Sequence, residues 1–135
     1  MSDQHLLKSS TKDSDPAIFS ETYSLVLLEK VKSERVKQAL TQWIEEIRDW
    51  TSAKAYFVGH IKVFVEGQEN LWLSSTGRSI SSKQSQGWSE WSLGSATLFV
   101  TIIVFGTTKE ALKETAEESL KTCFNTSLPN IINGF

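Results

Sequence analysis

The chain has 135 residues, 39% of them hydrophobic and 22% charged, with 14 basic against 16 acidic side chains and a formal net charge of −2. That length fits one domain with an ordinary core, and the charge balance excludes a basic nucleic-acid-coating protein, a charged disordered tail and a collagenous chain. A single cysteine excludes an internal disulfide framework and any Cys-rich zinc module.

Residues 1–19 are polar, mix both signs of charge and show no apolar period, which reads as a disordered or loosely attached arm ahead of one domain over 20–135. Neither a signal-peptide core nor a membrane-spanning run of ~20 apolar residues is visible, so the expectation is a cytoplasmic protein with no membrane partner. From Thr22 to Val31 a nearly continuous apolar run reads as a buried strand, although its period leaves a helical turn open. Ser33 is placed to cap a helix, and Val36, Leu40, Trp43, Ile44, Ile47 and Trp50 then recur at steps of three or four.

Tyr56 to Glu66 reads as a long strand. Its odd positions, Phe57, Gly59, Ile61, Val63 and Val65, form a core face, and its even positions, Tyr56, Val58, His60, Lys62, Phe64 and Glu66, a mixed one. Gly67–Asn70 reads as a hairpin connection, and Leu71-Trp72-Leu73 starts the return. Residues 74–94 carry eight serines and three glycines, the composition of a long loop or a poorly buried edge strand. Ala96 to Phe105 alternates Leu98, Val100, Ile102 and Val104 with Thr97, Phe99, Thr101, Ile103 and Phe105, a central strand apolar on both faces. Gly106 ends it, Thr107 with Glu110 spells a capping box, and a second helix places Leu112, Ala116 and Cys123 inward. The order, with or without a short final strand, implies an α+β two-layer sandwich: an antiparallel-rich sheet of about four strands with two helices on one face, a ferredoxin-like plait or a relative.

No catalytic constellation, cofactor motif or metal-ligand spacing is present. Cys123, near the end of its helix, reads as a small core hydrophobe rather than a nucleophile. His60 shares a strand face with Lys62, and no second histidine stands at ligand spacing from it. The chain therefore supports two main readings. In the first, helices cover one sheet face and leave the other too apolar for a soluble monomer, with Tyr56, Val58, Phe64 and Trp72 as contacts for a second copy or another protein. In the second, a pocket between the sheet and the serine-rich segment binds a small molecule or anion through His60, Lys62, Arg78, Lys83, Trp88 and Trp91, as a binding protein or an enzyme. A base-stacking surface ranks third, because the chain has no basic stripe.

Overall fold

The computed structural model describes residues 15–128 and 131–133. Six strands form one sheet: β1 (Pro16–Lys32), β2 (Phe57–Glu66), β3 (Leu71–Ser75), β4 (Ile80–Gln84), β5 (Ser92–Phe105) and β6 (Ile131–Asn133). Two helices complete the fold, α1 (Ser33–Ala53) between β1 and β2 and α2 (Lys109–Ser127) between β5 and β6. The strand order is β4-β3-β2-β5-β1-β6, with every neighbouring pair antiparallel. β5 thus fills the slot between β1 and β2, and β1 the slot between β5 and β6. These two interleaved split βαβ units make the ferredoxin-like plait, in the expected α+β two-layer form. The sheet exceeds the expected four strands because the β3–β4 hairpin extends it beyond β2.

Both helices pack on one face, where Leu25, Ile61, Val65, Leu98, Ile102 and Val104 meet Val36, Leu40, Trp43, Ile47, Leu112 and Phe124 in the core. The two helices also fasten to each other: the buried Trp43 Nε1–H donates to the Ala116 carbonyl at 3.0 Å. The guanidinium of Arg35 reaches the Ser127 carbonyl at 2.5 Å, at the end of α2 where helical carbonyls lack partners.

Three local expectations are corrected. Residues 16–19 belong to the sheet rather than to an arm: Pro16 opens β1, where a missing N–H costs no ladder bond, and Phe19 is buried opposite Ile102. The remainder of the arm, residues 1–14, lies outside the described residues. Ser33 does not cap α1. It is the first helical residue, its N–H donates to the Trp91 carbonyl at 2.9 Å and its hydroxyl to the Trp88 carbonyl. On α2 the cap is Thr108, whose side chain accepts from the Ala111 N–H at 3.1 Å, one residue later than the expected box.

Of the two readings of residues 74–94, a long loop or a poorly buried edge strand, the structure has the second over β4, within an ordered edge of the sheet. β3 continues to Ser75, the chain turns through Gly77 at φ +103°, and β4 pairs back with Trp72 opposite Lys83. Arg48 of α1 reaches the carbonyls of Gly77 and Arg78 and closes the turn from above. After β4, the Glu69 carboxylate accepts from the Ser85 hydroxyl at 2.7 Å and the Gly87 N–H at 3.0 Å. A 3-10 turn, Trp88–Glu90, then buries Trp88 beneath the start of α1.

Candidate functional site

Among the described residues, nothing covers the face of the sheet opposite the helices. A β-bulge decides what it displays. Between Val58 and His60 the β2–β5 register slips by one residue, so Phe57 pairs with Phe105 and Val58 with Val104, while His60 pairs with Ile103. Gly59 is the extra residue. A Cβ there would lie 2.9 Å from the Phe105 ring and 3.1 Å from the Ile103 side chain, so only glycine lets both sit close. Below the bulge the expected phase holds, with Ile61, Val63 and Val65 in the core. Above it the phase is inverted: Phe57 turns outward and Val58 packs inward.

With that phase set, the large hydrophobic side chains that remain exposed among the described residues are Phe57 (73%), Leu28 (68%), Ile18 (47%), Trp72 (41%), Phe99 (39%) and Phe105 (37%). All except Leu28 fall on the open face by their register. They lie at two levels. Ile18, Phe57, Ile103 and Phe105 surround His60 near one end. Trp72, Phe64 and Phe99 cross three strands in a row, with Phe64 stacked on Trp72 at 5.1 Å between ring centroids and on Phe99 at 5.9 Å. The Lys83 ammonium lies 5.9 Å from the Trp72 ring centre, adding a cation–π contact at the end of the row. Between the levels runs a polar row of Ser74, Lys62, Thr101 and Ser20. A shallow groove of about 380 Å³ follows the junction of polar and aromatic rows, lined by Lys62, Phe64, Trp72, Ser74, Phe99 and Thr101.

The sequence-derived contacts divide accordingly. Phe64 and Trp72 are on the open face. Tyr56 and Val58 are not: Tyr56 packs edge-on against Trp50 of α1 at 5.3 Å, and Val58 lies on the helix side. The six residues of the pocket reading are not gathered at one place. His60, Lys62 and Lys83 are on the open face, Arg78 sits in the β3–β4 turn, and Trp88 and Trp91 pack together edge-on at 5.6 Å against the core. Trp88 is fully buried, and its Nε1–H finds no acceptor among the described residues. The residues that sequence reasoning missed are Ile18 and Phe57, the one read as arm and the other as core.

Chemistry elsewhere is sparse. The Cys123 thiol donates to the Glu46 carboxylate at 3.2 Å, and burial, reinforced by that carboxylate, raises its pKa to about 12. Such a thiol is no nucleophile near neutral pH. Among the described residues no group of three His, Cys, Asp or Glu side chains is placed to hold a metal, and no helix is long and apolar enough to cross a membrane.

No protein-family model and no curated protein matches the chain. Two solved structures are similar over 76% of this chain and 29% of theirs: the Zn(II)-bound YjiA GTPase from E. coli, at 13% identity and a TM-score of 0.39, and a Zn(II)-bound triple mutant of YjiA, at 13% and 0.40. The chain spans under a third of their length, and a likeness at this level carries no argument about function.

Proposed function

We propose that the protein works by association, and that its open sheet face pairs with the same face of a second copy. The observation that carries this reading is the concentration of exposed large hydrophobics on that face. Size is compatible with it: three strands with about nine residues each and two with five, at ~4.8 Å by ~3.3 Å per residue, make a patch of roughly 600 Å², against the ~800 Å² that each partner gives to a standard interface.

A second copy fits better than an unrelated partner because aromatic and polar levels of the two central strands match across the line between β2 and β5. Phe64 pairs with Phe99, Phe57 with Phe105, and the polar Lys62 with Thr101. A twofold axis along that line, in the plane between two facing sheets, sets Phe64 over Phe99 of the second copy and Phe57 over its Phe105. Every apolar level then meets an apolar level, and Lys62 meets a hydroxyl. Base stacking fits less well. Phe64 already has a ring on either side and Lys83 lies over Trp72, whereas a stacking platform presents free ring faces.

Sedimentation equilibrium on the wild type, Phe64→Glu and Phe57→Glu tests the proposal. An unpaired charge in the interface should raise the dissociation constant about a hundredfold or more. Phe57→Glu is the cleaner probe, because its side chain is the most exposed of the set and makes little contribution to the fold. A wild type that is monomeric at about 10 µM, or a dimer indifferent to both variants with their circular dichroism intact, overturns the reading.

A further inference from the structure

We propose that acid opens this interface, through protonation of His60. The inference rests on the association reading and concerns the regulation of the same face.

His60 is half-buried on an interior strand before any partner arrives, at the level formed by Ile18, Phe57, Ile103 and Phe105. The twofold described above lays Ile103 of the second copy over it. A neutral imidazole tolerates such a place, with one ring nitrogen free to find a local acceptor. An imidazolium there is a charge removed from water without a counter-ion among the described residues. The described charged groups around it do not compensate. Along β2 the next open-face residue is Lys62, a cation. β5 contributes Thr101, Ile103 and Phe105, and β1 contributes Ile18 and Ser20, none of them charged. The carboxylates stand further off in the fold: Glu66 lies beyond Phe64 at the other end of β2, and Asp15 precedes Pro16, beyond the Phe57–Phe105 pair. In the paired sheets Glu66 of the second copy stays at its own far end, over Thr97.

The sign follows from linkage. The associated state prefers the neutral ring, so affinity is complete above the histidine range and is lost as the pH falls through it. One ring from each copy takes part, so the dissociation constant should rise roughly a hundredfold between about pH 7.5 and about pH 5.5.

Sedimentation equilibrium at those two pH values, on the full chain, reads the ratio directly. The wild type should weaken by roughly a hundredfold, and His5→Gln, which alters a histidine outside the described residues, should keep that ratio. In His60→Leu and His60→Gln the ratio should fall to near one, whatever their constants at neutral pH. A wild-type dimer with a flat profile, or a ratio that survives both His60 substitutions, overturns the inference and leaves the association reading standing. Tighter pairing in acid also overturns it, and indicates that a carboxylate of the second copy, with Glu66 the candidate, lies against His60. A wild type monomeric at both pH values overturns the association reading itself.

Discussion

Ile61 and Ile102 lie directly opposite each other on adjacent interior strands, both fully buried beneath the helices. β2 and β5 meet here at the centre of the sheet, one bulge away from the open-face aromatics. The packing of this pair therefore fixes which residues of both strands point outward.

Truncating either isoleucine to alanine should destabilise the fold by about 2–5 kcal/mol, through lost burial and the cavity left behind. Urea unfolding of both variants checks this. A loss under about 1 kcal/mol at both sites is incompatible with the register described here, because a one-residue slip exchanges the faces.

Gly59→Ala should be costly out of proportion to its size, by about 1–3 kcal/mol, since the added methyl meets the Phe105 ring and the Ile103 side chain. The expected signature is local. Chemical shifts of Phe57, Ile103 and Phe105 should move while those of Leu98 and Val100, further along β5, stay in place.

Glu69→Ala removes the acceptor for the Ser85 hydroxyl and the Gly87 N–H. Charge-assisted bonds of this kind are worth about 1–3 kcal/mol, and the loss should fall mainly on the segment that carries Trp88. Faster amide hydrogen exchange at Ser85 and Gly87, with little change in the β2–β5 ladder, is the outcome to look for.

Cys123 makes stability depend on pH at the alkaline end. Its pKa rises from an ordinary 9.0 to about 12 in the folded chain, first through burial and then through the Glu46 carboxylate. The folded state therefore holds a proton that the unfolded state releases. This contribution to stability is complete below about pH 9 and is lost as the pH climbs from there toward about 12. Melting temperatures measured across that window should fall less steeply for Cys123→Ala than for the wild type. At about pH 8.5, native Cys123 should react with iodoacetamide much more slowly than the urea-unfolded chain.

Much of the fold is legible in the sequence because long elements with a clean period carry their own evidence. The α1 stripe from Val36 to Ile47 and the alternation from Leu98 to Val104 are of this kind, and the side chains buried there are the ones their spacing indicates. Reading fails where periodicity is locally broken or absent. Strict alternation through Gly59 sends Phe57 inward and Val58 outward, because a bulge adds a residue that a period of two does not count. Glycine inside a strand pattern is the available signal for such an irregularity. β4 lacks alternating hydrophobics because an edge strand at the margin of the helical layer has little apolar surface to bury, so Ser81, Ser82 and Lys83 resemble a loop. Trp88 is hidden among serines, and only the fold shows that it lies under α1. The open face is half legible: Phe64 and Trp72 stand out in the sequence, whereas Ile18 sits in a stretch that reads as an arm and Phe57 on a face that reads as core.

The interleaved strand order also constrains how the chain comes together. β5 sits between β1 and β2, and its Phe105 pairs with Pro16, at almost the other end of the described sequence. Until Ser92–Phe105 is available, β1 and β2 flank an empty slot, each with an unsatisfied inner edge and an apolar face. The neighbouring hairpin, β3–β4, closes locally and can form early, but it leaves that gap open. Closure of the sheet is therefore a late, long-range event, of the kind that places mixed α/β domains below helical bundles in folding rate. On the ribosome the nascent chain must carry an unpaired β1 and an open inner edge of β2 until Phe105 has been made.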